Sequence, residues 1–332
     1  MELPITSSTH LATAQPASCL GVSVLGRRFL RDERVLSCIH SWKNIHGISE
    51  FKIISDGSLK PEDTQFIKES FGFEVFNDEE IGDLVEPQIK NLKYISRYLK
   101  EIKHYRKAIY SPLLSQGFDR CLLIDSDVLI TEPICFPSSH EAPEILISPD
   151  DIPAYRLHWS AGFRIPLAPC INSGFVYFQP SSINLEYLES VFEQVQSKSQ
   201  NKWWVEQGTW AIYCGYVSSK GLFDGHDARV VSGLGKRTAS EIMNNEYVWH
   251  RKSKPNQKSE IAEMIKGAAV IHFAGPGKQW IDLATTFPNN QNSQGVNPRH
   301  LRWDPLQNAS GLEVLLLTLR LAAIGISEKI NK

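Results

Sequence analysis

The chain has 332 residues, with 35 basic and 37 acidic side chains and a formal net charge of −2. That balance argues against a nucleic-acid binder, and 42% hydrophobic with 22% charged residues excludes a disordered, collagenous or coiled-coil body. Cys19, Cys38, Cys121, Cys135, Cys170 and Cys214 form no Cys-x-x-Cys pair, so zinc-ribbon and thioredoxin-type readings lose their basis, and we expect a soluble, intracellular protein.

The first 18 residues are rich in Ser, Thr, Ala and Pro and lack Lys and Arg, unlike a signal or transit peptide; we read them as a flexible tail. Cys19 to Leu25 is an apolar run that suits a buried strand. Val35, Leu36, Ile39 and Trp42 then recur at helical spacing between Glu33 and His46. Phe51 to Ile54 reads as a strand, Pro61 to Phe71 as a helix with proline in its first turn, and Phe73 to Phe76 as a short strand. Asp78 and Glu80 read as a solvated surface run, and Lys90 to Leu114 as a basic, aromatic helical stretch interrupted at Pro112. Cys121 to Ile124 is a strong buried-strand signal running into Asp125-Ser126-Asp127. Beyond it we expect a strand near Glu144 to Ser148 within long loops, a strand from Ile171 to Phe178, helices over Leu185 to Lys198 and Trp203 to Tyr213, and a last strand from Ala268 to Phe273. His250 to Lys258 reads as a flexible basic loop. The βαβαβ rhythm implies an α/β fold with a mainly parallel sheet, whose ligands sit at the carboxyl ends of the strands.

Two sequence features carry chemistry. Asp125 and Asp127 sit two positions apart inside an apolar run, and a continued strand would point both carboxylates to one side. Burying two acids there is costly unless something pairs with them. Oxygen ligands so placed suit a hard divalent cation; the alternative is a strand-end pair satisfied by protein partners. The second feature is His272, which ends a strand and precedes Ala274-Gly275-Pro276-Gly277-Lys278-Gln279-Trp280. Glycines let backbone amides approach an anion, and Lys278 adds a point charge suited to a diphosphate. If His272 joins the two aspartates, the mixed N/O set is compatible with Mn²⁺ or Mg²⁺.

Ile-Asp125-Ser-Asp127, Asn172-Ser173-Gly174, Glu206-Gln207 and His272-Phe-Ala-Gly275-Pro-Gly-Lys278-Gln-Trp280, in this order, resemble the pattern of glycosyltransferase family 8. The resemblance covers roughly residues 19 to 282. It implies a GT-A fold, a Rossmann-like sheet flanked by helices, and retaining transfer of a hexose from a nucleotide sugar, usually UDP-linked. It also implies that Asp125, Asp127 and His272 hold the metal, and that Asp125, Ser126, Asn172, Gly174, Gly275, Gly277 and Lys278 bind the donor. Gln207 would lie nearest the reacting anomeric carbon, with Glu206 on the donor sugar's hydroxyls. The chain departs from the pattern in three places. The first strand offers Ser23, Gly26 and Arg27 where acidic and asparagine residues are common; Glu206 stands for the usual aspartate; and Lys-Gln-Trp replaces Lys-Pro-Trp.

The expected organisation is a flexible tail (1–18), a GT-A catalytic domain (19–290) and a C-terminal helical extension (291–332) packed on it. The apolar run from Leu312 to Ile326 is shorter than the ~20 residues that span a bilayer and contains Glu313 and Arg320, so we expect a cytoplasmic enzyme with at most peripheral membrane contact. In the long loops between Pro133 and Cys170, Asp150, Asp151, Trp159 and Arg164 are candidate contacts for an acceptor, whether glycan, lipid, protein or small molecule; the alternative is a surface insertion with a hydrophobic anchor. Two other classes compete: a non-catalytic nucleotide-sugar binder, and a metal-dependent nucleotidyltransferase or phosphohydrolase.

Overall fold

The computed structural model describes residues 18–137, 142–150, 165–168, 171–195, 205–223, 227–231 and 258–285. Strand β1 (Cys19–Leu25) leads to helix α1 (Glu33–Ser41), whose N-cap Asp32 accepts a hydrogen bond from the Arg34 amide at 3.1 Å. The short β2 (Ile45–His46) and then β3 (Glu50–Ser55) follow. Helix α2 (Pro61–Phe71) starts on proline and stops at Gly72, which takes the left-handed conformation with φ +73°. After β4 (Glu74–Phe76), the Asp78–Glu80 run is exposed, as expected, and is also the first turn of α3 (Asp78–Ile89). Asn77 caps that helix, accepting from the Glu79 and Glu80 amides, while the Glu80 carboxylate accepts from the Asn77 amide.

The basic stretch is two helices, α4 (Lys93–Glu101) and α5 (Arg106–Leu114), and Pro112 lies inside α5 rather than ending it. The chain then forms β5 (Arg120–Ile124), β6 (Val128–Ile130), β7 (Ile134–Cys135), β8 (Ile145–Pro149) and β9 (Ile171–Phe178). Helices α6 (Leu185–Val195) and α7 (Val205–Tyr216) precede β10 (Lys220–Leu222) and β11 (Ala228–Val230). Helix α8 (Lys258–Ile265) starts on the last residue of the expected basic loop, whose other residues lie outside the described ones, and leads to β12 (Val270–His272) and α9 (Ile281–Thr285). The expected tail up to residue 17, residues 151–164 of the expected loops, and the C-terminal extension lie outside the described residues.

The main sheet has seven strands in the order β10-β8-β9-β5-β1-β3-β4, all parallel except β9. This is the expected α/β fold with a mainly parallel sheet flanked by helices. Side chains alternate faces along its central strands. Leu20, Val22, Cys121 and Leu123 pack into the core under α5 and α7, while Cys19, Leu25, Leu122 and Ile124 pack under α1 and α2 with Val35, Ile39 and Ile67. Burial on both faces explains why the central strands read as continuous apolar runs. A second sheet, β11-β12-β6, branches off beyond β5, so the predicted last strand belongs to it rather than to the main sheet. Among the described residues, no helix is long and apolar enough to cross a membrane.

Candidate metal and donor site

The antiparallel β9 organises the site. Its pairing with β5 sets Ile124 opposite Phe175, so the residue after β5 meets the start of β9, and the Asp125 amide donates to the Gly174 carbonyl at 2.8 Å. Asp125-Ser126-Asp127 does not continue the strand. It turns, with the Val128 amide donating to the Asp125 carbonyl at 3.1 Å, and the chain enters β6. β6 pairs antiparallel with β12, placing His272 opposite Val128, and the Phe273 amide donates to the Asp127 carbonyl at 2.9 Å. Two strand pairings thus bring residues 125, 172–174 and 272 to the carboxyl end of β5.

The two carboxylates do converge, for a reason other than strand alternation. His272 Nε2 lies 3.2 Å from Asp127 Oδ1 and 3.5 Å from Asp125 Oδ2. One donor atom from each of Asp125, Asp127 and His272 falls within 4.8 Å of the others. Two carboxylate oxygens and an imidazole nitrogen at that spacing fit a divalent cation with positions left for water or phosphate. Gly174 has to be glycine here, because a Cβ would collide with the His272 ring.

Two lysines flank the donor set. Lys107, buried in α5, donates to both Asp125 oxygens at 2.7 and 2.8 Å and lies 3.4 Å from Glu206 Oε1. Lys278, in the 3₁₀ turn Gly275–Trp280, pairs with Asp127 Oδ2 at the rim. In that turn Gly275 has φ +53°, and a Cβ on Gly277 would strike the Val231 carbonyl. Burial disfavours the Asp127 anion, yet His272 and Lys278 outweigh it and hold the carboxyl well below its ordinary range. Burial likewise disfavours a charged His272, but Asp127 and then Asp125 raise its pKa above the ordinary value. Burial raises the Glu206 carboxyl too, only partly offset by Lys107.

The remaining sequence candidates gather at the same end of the sheet. Glu206, in the first turn of α7, accepts from Ser173 Oγ at 2.9 Å, and the neighbouring Gln207 donates from Nε2 to the Ile171 carbonyl. Ser126 is buried in the turn, and Asn172 hydrogen-bonds Asp150, Gly174 and His272. On the β1 side, Arg27 pairs with Glu62 at 3.0 Å and Asp63 at 3.4 Å, while Asp56 lies against Gly26. Asp151, Trp159 and Arg164 lie outside the described residues. Sequence reasoning missed Lys107. Its one sequence signal is that it is flanked by the apolar and aromatic residues Tyr105, Ala108, Ile109 and Tyr110, all of which the structure buries.

No protein-family profile matches the chain, and no curated protein matches it by sequence. Among solved structures, the chain is similar to mouse xyloside xylosyltransferase 1 in its apo form, at 11% identity over 77% of this chain and 98% of that one, with a TM-score of 0.45. It is also similar to the galactosyltransferase LgtC in complex with donor and acceptor sugar analogues, at 13% identity, 81% and 97% coverage and a TM-score of 0.44. A third is the mannosyltransferase Ktr4p from S. cerevisiae, at 9% identity, 62% and 68% coverage and a TM-score of 0.40.

Proposed function

We propose that this chain is a metal-dependent, retaining glycosyltransferase that moves a hexose from a nucleoside-diphosphate sugar, UDP-linked, to an acceptor hydroxyl. The observation that carries this reading is the convergence of Asp125, Asp127 and His272, with Lys278 beside them, at the carboxyl end of β5. Carboxyl ends of parallel strands are where ligands bind in open α/β sheets. A cation held by the three residues, Mn²⁺ or Mg²⁺, supplies Lewis-acid stabilisation of charge developing on a diphosphate leaving group.

The protein's own groups do the rest. Lys278 is partly exposed beside the donor set and offers a mobile ammonium to the same leaving group. Lys107 neutralises Asp125 and Glu206 from beneath, so the floor of the site carries less net negative charge against an anionic donor. Glu206, held by Ser173 and Lys107, is aligned to accept hydrogen bonds from sugar hydroxyls. A Gln207 carboxamide is a poor nucleophile, which favours attack from the face the diphosphate leaves over a covalent glycosyl-enzyme. The described cysteines are all unpaired, compatible with a cytoplasmic setting.

The test is incubation with a panel of nucleotide sugars, Mn²⁺ and candidate acceptors. The proposal predicts free nucleoside diphosphate and glycosylated acceptor in equal amounts, with retained anomeric configuration. Release of nucleoside monophosphate or inorganic phosphate instead would assign the site to phosphohydrolase or nucleotidyl-transfer chemistry. A donor that binds without turnover under any acceptor would leave a binding protein.

A further inference from the structure

A polar chain leads away from the donor set. Asn172 Nδ2 donates to Asp150 Oδ2 at 2.9 Å, and Asn172 Oδ1 accepts from the Gly174 amide at 2.8 Å. The same Oδ1 lies 2.7 Å from His272 Nδ1. Two anchors fix the direction of the Asn172 carboxamide. An ionised carboxylate only accepts, so the group facing Asp150 is the NH₂; a backbone N–H only donates, so the group facing Gly174 is the oxygen. An oxygen at 2.7 Å from a ring nitrogen requires that nitrogen to carry the hydrogen. When the ring is neutral, as metal binding requires, Nδ1 therefore carries the hydrogen, and Nε2, the atom facing Asp125 and Asp127, keeps its lone pair. A flipped carboxamide would donate to Nδ1 and move the hydrogen to Nε2, closing the ligand position.

The backbone prepares this contact. The β8–β9 register shifts between Ile147 and Ser148, after which Ser148 pairs with Asn172 and Pro149 with Ile171. That irregularity carries Asp150 alongside the Asn172 side chain. We infer that Asp150 and Asn172 are positioning residues: acting through His272, they select its Nδ1–H tautomer and so set the site's affinity for a divalent cation. The inference rests on the metal reading proposed above. It assigns Asn172 an action through His272, in place of the sugar-side contact that the sequence resemblance implies.

Two measurements on the full chain test it. In the metal-free wild type, at a pH where the His272 ring is neutral, ¹⁵N spectra of the imidazoles, with His272 identified by its loss in His272→Gln, are expected to show the Nδ1–H tautomer; an Nε2–H tautomer overturns the inference without any other variant. Mn²⁺ titration is the second. Asn172→Leu, similar in volume but without an acceptor, is expected to weaken Mn²⁺ binding by about 10- to 100-fold, the usual cost of losing an outer partner of a metal ligand. The double exchange Asn172→Asp with Asp150→Asn keeps an acceptor toward His272 and a hydrogen bond between the two, and is expected to restore most of the affinity. Unchanged Mn²⁺ affinity in Asn172→Leu, or equal weakening in the double exchange at an unchanged melting temperature, would overturn it. A wild-type chain that binds no Mn²⁺ removes the metal reading itself.

Discussion

The two lysine–aspartate pairs at the end of β5 look alike in composition and differ in placement. The Lys107 side chain is 9% exposed, holds both oxygens of Asp125 and also faces Glu206, and it projects from a helix whose residues from Lys107 to Leu113 are all buried. The Lys278 side chain is 23% exposed, holds one oxygen of Asp127, and belongs to a short 3₁₀ turn at the rim. A buried ion pair is costly to break, because removing one partner strands the other charge. The Lys278 pair also holds a buried carboxylate, but Asp127 keeps His272 when the lysine leaves, so this lysine can exchange partners. The comparison assigns Lys107 to holding the site together and Lys278 to meeting the substrate.

The largest effect should come from Lys107→Met, which strands Asp125 and Glu206. Chemical denaturation should report a loss of about 3–5 kcal/mol, partly recovered by Mn²⁺. Lys278→Ala should do the reverse: a smaller loss of stability than Lys107→Met, because His272 still faces Asp127, but transfer slower by about 10²–10³-fold, the cost of one donor to a developing anion. If Lys107→Met proved as stable as wild type, or Lys278→Ala unfolded the chain, the contrast would collapse.

A smaller effect separates the pairs by pH. The His272 pKa is raised above its ordinary 6.5 by Asp127 and Asp125 against the effect of burial. The attraction of the charged imidazole for Asp127 is therefore fully present below pH 6.5 and is lost as pH rises through the raised value. Without metal, the melting temperature should fall over that window, and Asp127→Asn should flatten the slope. Mn²⁺ affinity should rise over the same window, because binding requires a neutral ring. The smallest effect concerns Phe29, whose ring lies 5.6 Å from Lys278 Nζ. Phe29→Leu removes a contact worth about 0.5–1 kcal/mol and should reduce transfer severalfold at most, with Lys107-dependent stability untouched.

The sequence carried much of this architecture and less of its side-chain logic. Strands β1, β5 and β9 were legible because burial on both faces leaves largely apolar runs, β3 by its Phe51 and Ile53-Ile54, and α2 because Pro61 and Gly72 mark its ends. Helix α3 was not, because Asp78 and Glu80 read only as the surface charge they are, and not also as the acidic first turn that Asn77 caps. Asp125 and Asp127 stood out by their apolar setting, but a turn, not a continued strand, points them at His272. Lys107 stayed hidden because helical spacing in a basic stretch does not say which lysine turns inward. The contact between Asn172 and His272 joins residues 100 positions apart, and it exists only because β9 and β12 both border the end of β5.

The central claim is that Asp125, Asp127 and His272 hold one divalent cation. Electron spin-echo modulation of Mn²⁺ bound to the full chain reads it most directly, because a coordinated imidazole nitrogen leaves its own modulation. The account predicts such a nitrogen signal in the wild type, its loss in His272→Gln with the ion still weakly held, and loss of the bound ion in Asp127→Asn. A wild-type chain that binds no Mn²⁺, or a nitrogen signal that survives His272→Gln, would contradict it.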